Sequence, residues 1–180
     1  MLTLRPFKRG DIKWLISQFP DPYSLRMWSG NQFQFPLNKY QLKRHMKLTR
    51  AVYPRFEFFT ALDKEKQPVG YGEISRISRD RSAFLSRILI QKNLRGRGLG
   101  SALVSRLIEI GFGQLGLHRL ELNVFDFNRQ AIHCYEKAGF IREGLLRDVC
   151  WTGKEFWSEY RMSILESEWR TTSMDLPDIH

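Results

Sequence analysis

Three glycines, Gly96, Gly98 and Gly100, alternate with larger residues just before a segment with helical periodicity. Glycine adopts positive φ values that other residues resist, so we expect at least one of these positions to need such a backbone conformation. A glycine-rich turn that opens a helix directs unpaired backbone N–H groups at one point, where the helix dipole also favours negative charge. Arg95 and Arg97 add guanidinium groups, which bind phosphate through paired hydrogen bonds. The segment therefore predicts a phosphate-binding loop.

Two common phosphate-binding loops fit this segment poorly. A dinucleotide-binding turn has the spacing Gly-x-Gly-x-x-Gly, whereas this chain has Gly-x-Gly-x-Gly-Ser. Glu121 lies roughly where such a fold carries its ribose-binding acid, but it falls inside a predicted strand rather than at the strand's end. A Walker loop requires Gly-Lys-Ser/Thr, which does not follow. The pattern that remains is Arg95-x-x-Gly98-x-Gly100.

A second set of residues follows downstream, with fixed spacing from an asparagine: Asn128, Ala131, Tyr135, Gly139 and Phe140. Together with the first pattern, this set resembles the motifs of the GCN5-related N-acetyltransferase (GNAT) family, whose acetyl-CoA pyrophosphate loop carries Arg/Gln-x-x-Gly-x-Gly/Ala. The resemblance covers roughly residues 2–170. C-terminal segments 148–151, 162–165 and 168–169 loosely resemble the branch that contains ribosomal-protein N-terminal and aminoglycoside acetyltransferases.

The resemblance implies a fold and an activity. The fold class is α+β, with a mixed, mostly antiparallel central sheet that is splayed between its fourth and fifth strands and flanked by helices. The activity is direct transfer of an acetyl group from acetyl-CoA, as co-substrate, to a primary amine. The amine would belong to a small molecule, an aminoglycoside-like compound or a protein N-terminus. No metal is implied.

The family motifs also imply roles for individual residues of this chain. The fourth strand would pair with the pantetheine and supply a backbone N–H to the thioester carbonyl, and the loop would hold the pyrophosphate. Asn128 would contact the pantetheine arm, and Tyr135 would act near the sulfur as general acid. The implied cofactor-binding residues are Ile88, Leu89, Ile90, Arg95, Gly96, Arg97, Gly98, Leu99, Gly100, Ser101, Asn128 and Tyr135.

Two of these residues also have ordinary structural explanations. Asn128 fits the N-cap of a helix, a role that is compatible with cofactor binding. A tyrosine in the middle of a helix is in general more often a core residue than a catalytic one. For Tyr135, the complete spacing from Asn128 to Gly139 and Phe140 favours the catalytic role.

The general base is left open by the sequence. Some GNAT relatives carry a glutamate five residues before the motif asparagine, but this chain has Asn123 there. Glu73, on a neighbouring predicted strand, is the first substitute, so Tyr135 and Glu73 are the predicted catalytic pair. Glu121, Asp126 and water are the alternatives. Each of these acids is also compatible with an ordinary ion pair.

The periodicity of the chain predicts one domain over residues 1–170 and a flexible tail over 171–180. Three strands joined by polar turns (56–62, 69–77 and 83–90) predict an antiparallel meander. A helix over 99–110 and a strand over 120–125 then form a β-α-β unit with parallel strands. Further predicted elements are a strand at 2–7, a helix capped by Asp11 and ended at residues 20–22, an irregular segment rich in aromatics over 28–36, helices beginning at Asn38 and Asn128, and strands at 140–141, 149–152 and 156–165.

Composition sets limits on the location of the protein. No apolar run is long enough for a membrane span, the N-terminus lacks a signal-peptide pattern, and two cysteines provide no disulfide framework or zinc spacing. We therefore expect a cytoplasmic protein without membrane contact. The sequence leaves the oligomeric state open, with a homodimer as the option to test.

The formal net charge of +10 suggests anionic partners. The positive residues are spread along the chain, so a solvated basic face is the simpler explanation and we do not expect nucleic acid as a partner. The alternative to an enzyme is a non-catalytic acyl-CoA-binding or RNA/ribosome-binding module that uses this basic surface.

Overall fold

The computed structural model describes residues 2–174, with side chains described to residue 171. Its centre is a seven-stranded sheet in the order β1-β2-β3-β4-β5-β7-β6. The strands are β1 (Thr3–Pro6), β2 (Arg55–Leu62), β3 (Pro68–Ile77), β4 (Ser82–Ile90), β5 (Arg119–Phe125), β6 (Ile141–Trp151) and β7 (Phe156–Leu165). The helices are α1 (Ile12–Ser17), α2 (Pro22–Ser29), α3 (Lys39–Met46), α4 (Leu99–Glu109), α5 (Arg129–Lys137) and α6 (Glu166–Met174).

The pairing of β4 with β5 is parallel, while the other strand pairs between described residues are antiparallel. The parallel register runs from Ser82 opposite Arg119 to Phe84 opposite Glu121 and then stops. Because β4 continues to Ile90 without pairing to β5, the two strands separate beyond Phe84. The α+β class, the β-α-β unit and the splay between the fourth and fifth strands are thereby confirmed.

Two apolar cores cover the two faces of the sheet. The larger core packs α4 and α5 against the sheet through fully buried residues such as Leu103, Leu107 and Leu122. On α4, Leu103 and Leu107 are one helical turn apart, as the periodicity predicts. The second core packs α1, α2 and α3 on the other face, around Leu15 and Tyr71. Within residues 2–174, no helix combines the length and apolar character required to cross a bilayer.

The sequence predicts no helix over residues 23–27, yet the structure has α2 there, and α2 also includes the first two residues of the irregular segment expected over 28–36. The Asp21 side chain accepts a hydrogen bond from Ser24 N–H (2.7 Å), and Pro22 occupies the first turn. Proline is well suited to a first turn, where its missing N–H would have no partner in any case. The same proline that ends the preceding helical pattern therefore begins the next helix.

The predicted helix caps have mixed outcomes. Asn38 and Asn128 cap α3 and α5 as expected, and Gly139 follows α5 with a φ of +95°. Asp11 does not cap α1: its carboxylate instead binds the Arg5 guanidinium at 2.7 and 2.8 Å. The Asp11 carboxylate binds Arg5 rather than a backbone N–H of α1, because the guanidinium supplies two charge-assisted hydrogen bonds.

The C-terminal part is more regular than predicted. β6 runs unbroken over residues expected to form two short strands, with irregular register where it passes residues 146–150. Its side chains are mostly exposed, so it lacks the apolar alternation by which sequence reveals a strand. Residues 171–174 of the predicted tail belong to α6, and residues 175–180 lie outside the described chain.

Candidate active site

The predicted phosphate loop joins β4 to α4. Gly96 and Gly98 have φ values of +74° and +78°, which glycine adopts without the strain that a side chain would cause. A Cβ at either position would have no heavy atom within 4 Å, so the loop is open to a ligand. The first bond of α4 runs from Ala102 N–H to the Gly98 carbonyl (3.0 Å), which leaves the preceding N–H groups without a helical acceptor.

The two arginines of the loop have different surroundings. Arg95 donates from Nε to the Ile90 carbonyl (3.0 Å), so it braces the loop against the end of β4. Arg97 is exposed, and no carboxylate of residues 2–171 forms an ion pair with it. Its guanidinium is therefore available to an anion beside the helix N-terminus.

A cleft of about 470 Å³ opens where β4 and β5 separate. Predicted site residues Ile88, Asn128 and Tyr135 line it, while Leu89 and Ile90 are buried in the two cores. The opposite wall is largely aromatic and polar, and it includes Trp28, Ser29, Gln32, Phe56, Ser75, Arg76, Phe84, Ser86, Asn123, Phe125 and Glu159. The cleft thus extends from the α5 side of the sheet to the α2 side.

Asn128 has its cap role at the edge of this cleft. Its Oδ1 accepts a hydrogen bond from Ala131 N–H (3.3 Å). Because the cap uses the side-chain oxygen, the amide nitrogen remains as a donor toward the cleft. The structural role and the predicted cofactor contact are therefore compatible in one side chain.

Tyr135 lies about two helical turns farther along α5. Burial raises the pKa of its phenol, and the neighbouring Cys134 adds to the increase. Its ring contacts Phe140 edge-on at 6.1 Å. A phenol with a raised pKa stays protonated at neutral pH and can donate a proton.

Glu73 lies at the centre of a buried polar cluster. Its Oε1 accepts hydrogen bonds from Tyr71 OH (2.7 Å) and Arg87 Nε (2.7 Å), and it lies 2.9 Å from His45 Nε2. The second Arg87 nitrogen binds Oε2. Burial alone would raise the pKa of Glu73, but the charge of Arg87 and the hydrogen bonds from His45 and Arg87 lower it to about 2.

This cluster lies beside an irregularity in the register of β3 and β4, between the pairs Tyr71–Leu89 and Glu73–Ser86. Arg87 has a φ of +49°, and its carbonyl accepts a hydrogen bond from Trp28 Nε1 (2.6 Å). His45 and Arg87 line the cleft, whereas Glu73 lies behind them and is fully buried. The contacts of Glu73 favour a positioning function, and its role as a general base stays an untested prediction.

The comparison with known proteins agrees with these features. The family model described as "Acetyltransferase (GNAT) family" matches residues 20–140, which include the loop, the splayed strands and α5. The chain belongs to the GNAT family. GNAT enzymes use acetyl-CoA as co-substrate, and the chain is an acetyl-CoA-dependent N-acetyltransferase that acts on an amine. The predicted fold, activity class and co-substrate are thereby confirmed.

One curated relative is similar to this chain over nearly its whole length, and another over about a third of it. The spermidine N(1)-acetyltransferase of Vibrio cholerae is 26% identical over 173 residues, which cover 96% of this chain and 97% of the relative. An aminoglycoside N(6')-acetyltransferase type 1 of Klebsiella pneumoniae is 37% identical over 60 residues, or 33% of this chain and 30% of the relative. The solved Vibrio cholerae spermidine N-acetyltransferase in complex with CoA and spermine superposes with a TM-score of 0.82 at 27% identity, covering 94% of this chain and 98% of that one.

The other two acids considered for the general base, Glu121 and Asp126, are not part of the cleft lining. Glu121 is ion-paired with Arg119 (3.3 Å) and Arg161 (2.9 Å). Asp126 follows β5, and its backbone N–H donates to the Ser158 carbonyl (3.1 Å). Within the described residues, neither lines the cleft.

Glu159 is a cleft residue that sequence reasoning did not select. It lies on β7, and its Oε2 accepts a hydrogen bond from Asn123 Nδ2 at 3.0 Å. Burial raises the pKa of Glu159, although Asn123 and Arg161 act in the opposite direction. The signal that would have found it is the pairing of β7 with β5, which juxtaposes residues distant in sequence.

Proposed function

We propose that this enzyme transfers the acetyl group of acetyl-CoA directly to the primary amine of a small acceptor whose only positive charge is that amine. The observation that carries the proposal is the cleft at the splay, which joins the β4 backbone, the α5 side chains and the aromatic wall. An enzyme that binds both reactants in one cleft gains much of its acceleration from their mutual orientation. No covalent enzyme intermediate is required.

The cofactor side is supported by three local features of the chain. The loop offers free N–H groups and Arg97 to a pyrophosphate, the edge of β4 that faces β5 has no strand partner beyond Phe84, and Asn128 has a free amide nitrogen. A backbone N–H near Ile88 would stabilise the oxyanion that forms on the thioester carbonyl, a contribution of about 3 kcal/mol in other acyl-transfer sites. Tyr135 would then protonate the leaving thiolate.

The acceptor preference follows from the charges of the cleft. Glu159 is the one carboxylate among the described lining residues. Arg76 also lines the cleft and stacks on Phe84 at 5.4 Å, and Arg161 stacks on the same ring at 4.9 Å. In the cleft lining a polycation would meet the guanidinium groups of Arg76 and Arg87 and one carboxylate, so a monocationic amine with an apolar or anionic remainder fits better.

A polyamine is the second candidate acceptor. The observation in its favour is the full-length similarity to the spermidine N(1)-acetyltransferase of Vibrio cholerae. Membership in the same family does not by itself show that two enzymes use the same acceptor. Acceptor choice depends on the side chains of the site rather than on the fold. A polyamine would bind better in a negatively charged cleft, whereas a monocationic amine with an apolar or anionic remainder would bind better in a positively charged one.

An acceptor panel distinguishes them. Release of free CoA thiol would be followed with acetyl-CoA and phenethylamine, spermidine, kanamycin or a peptide with a free N-terminus. We expect a higher kcat/KM for phenethylamine than for spermidine, with the difference shrinking in Arg76→Gln. The control is Arg79→Gln, an exposed arginine of the next turn that does not line the cleft. A preference for spermidine would establish the second candidate, and no thiol release with any amine would overturn the function itself.

A further inference from the structure

Asn123 and Glu159 form a pair across two strands at the open part of the cleft. In the β5–β7 register, Asn123 lies opposite Arg161 and Phe125 lies opposite Glu159. Residues at such diagonal positions share one face of the sheet and are within reach of each other. The 3.0 Å hydrogen bond from Asn123 Nδ2 to Glu159 Oε2 joins them directly.

We propose that Glu159 is the general base that removes a proton from the acceptor amine, and that Asn123 holds it in place. The proposal rests on the proposed amine acetylation. Where some GNAT relatives have a glutamate on the strand before the motif asparagine, this chain has Asn123, and its acid Glu159 lies diagonally opposite on β7. The carboxylate is thus displaced to the neighbouring strand but remains on the same face and at the same cleft.

The surroundings of Glu159 leave one of its oxygens free to act. Arg161 donates from Nε to Asn123 Oδ1 (2.6 Å) and from Nη1 to Glu121 Oε2 (2.9 Å), so its ion-pair partner is Glu121. Among the described residues, Asn123 provides the hydrogen bond to Glu159 at Oε2, and no bond to Oε1 is made. The charged or titratable groups around it are Arg161 on its own strand and Cys150 on β6.

Burial then makes this carboxylate a better base than an exposed one. A raised pKa increases the tendency of the carboxylate to hold a proton, which favours transfer from an ammonium group. The buried Glu73, by contrast, is occupied by Arg87, His45 and Tyr71, and its lowered pKa makes it a weaker base.

The reaction balances with these two side chains. The Glu159 carboxylate takes one proton from the ammonium group, and the neutral amine attacks the thioester carbon. As the C–S bond breaks, its electron pair goes to sulfur and the Tyr135 phenol protonates the thiolate. The Tyr135 phenolate then takes the second proton from the acylated nitrogen, and Glu159 releases its proton to solvent. The products are the amide and free CoA, with one proton released.

The test compares Glu159→Gln with the wild type on two matched amines. Phenethylamine is an ammonium ion at neutral pH, whereas its β,β-difluoro analogue is largely neutral and needs no base. Glutamine retains the acceptor for Asn123, so the packing is kept. The control is Glu155→Gln, an exposed acid of the same hairpin that does not line the cleft.

We expect Glu159→Gln to lower kcat/KM for phenethylamine about 100-fold, a typical general-base contribution, and to lower it less than tenfold for the difluoro analogue. The KM for acetyl-CoA and the activity of Glu155→Gln should stay near the wild-type values. An equal loss on both amines would mean that Glu159 only shapes the cleft, and undiminished activity would also overturn the proposal. If the wild type acetylates another amine of the panel instead, the loss of kcat/KM in Glu159→Gln is measured with that amine at neutral and at alkaline pH. The loss should be smaller at alkaline pH, where more of the amine is already neutral. Absence of wild-type activity on every amine would refute the proposed function rather than this assignment.

Discussion

Tyr135 combines burial with access to the cleft, and this combination sets its chemistry. Its phenol is held neutral by the raised pKa, yet it lies on the cleft lining rather than in the closed core. A side chain that stays protonated until charge develops on sulfur stabilises the departing thiolate more than the bound reactants. The environment of the residue therefore supports donation of a proton rather than nucleophilic attack.

Substitution Tyr135→Phe tests this role at the scale of one oxygen atom. We expect kcat to fall about 100-fold, in the range typical for loss of a general acid, while acetyl-CoA affinity is nearly unchanged because the ring remains. Steady-state thiol release and calorimetric titration with acetyl-CoA measure the two quantities. Tyr40→Phe, an exposed tyrosine of α3, is the control. Equal turnover in Tyr135→Phe would remove the assignment.

The residues of the site differ in how far sequence can predict them. Tyr135 and Asn128 are seven positions apart on one helix, so a linear pattern reveals them. The contact of Asn123 with Glu159 spans 36 positions and depends on strand register. Because Glu73 and Glu159 both lie on predicted strands, only their burial and hydrogen-bond partners distinguish an ion-paired acid from one that faces a cleft.

The loop between β4 and α4 is the element on which cofactor binding depends. Gly98→Glu would introduce both a side chain at a φ of +78° and a negative charge at the helix N-terminus. We expect the Kd for acetyl-CoA to rise about 100-fold, since the loss of charge-assisted bonds costs about 1.5–3 kcal/mol. Calorimetry or the thermal shift induced by acetyl-CoA measures this change.

Gly153→Glu provides a matched control for that experiment. Gly153 has a φ of +95° and open space around its Cα, like Gly98, but it lies in the turn between β6 and β7. Both variants carry similar backbone strain, so they should lose similar stability. Only Gly98→Glu should lose cofactor affinity, and retained affinity in that variant would contradict the loop assignment.

At the level of elements, sequence predicts those that carry their own periodicity or caps. β2, β3, β4 and α4 follow this rule, since apolar spacing marks their buried faces. The sequence does not predict α2, because a proline at position 22 is typical of a helix end. It indicates a helix start only when Asp21 is recognised as the N-cap before it. β6 was missed in part because an exposed edge strand has no buried face to impose an apolar alternation.

The whole molecule is organised around the place where its sheet divides. One core lies under α4 and α5, the other lies under α1, α2 and α3, and the cleft connects the two faces. The Glu73 cluster ties three elements together beside this opening, because His45 comes from α3, Glu73 from β3 and Arg87 from β4. Its charge state therefore affects global stability as well as the local shape of the cleft.

This coupling predicts a pH dependence of folding. The pKa of Glu73 is lowered from 4.5 to about 2 in the folded protein, so its contribution to stability is complete above the unfolded-state pKa and is lost as the pH falls through the folded-state pKa. At 1.36 kcal/mol per pKa unit, the loss amounts to about 3 kcal/mol between pH 5 and pH 2. Asp11, whose pKa is also lowered, changes stability in the same direction.

Urea unfolding at several pH values measures this dependence, with Glu73→Gln as the test variant. We expect the variant to be less stable at pH 7 by about 3–5 kcal/mol, because Arg87 loses its buried partner, and to lose less stability than the wild type on acidification. If Glu73→Gln does not fold, the double variant Glu73→Gln/Arg87→Met removes both charges and allows the same measurement. Glu57→Gln is the control, since its ion pair with Arg55 is half-exposed and contributes little. The same acid slope in wild type and in the Glu73 variants would show that other carboxylates govern acid unfolding.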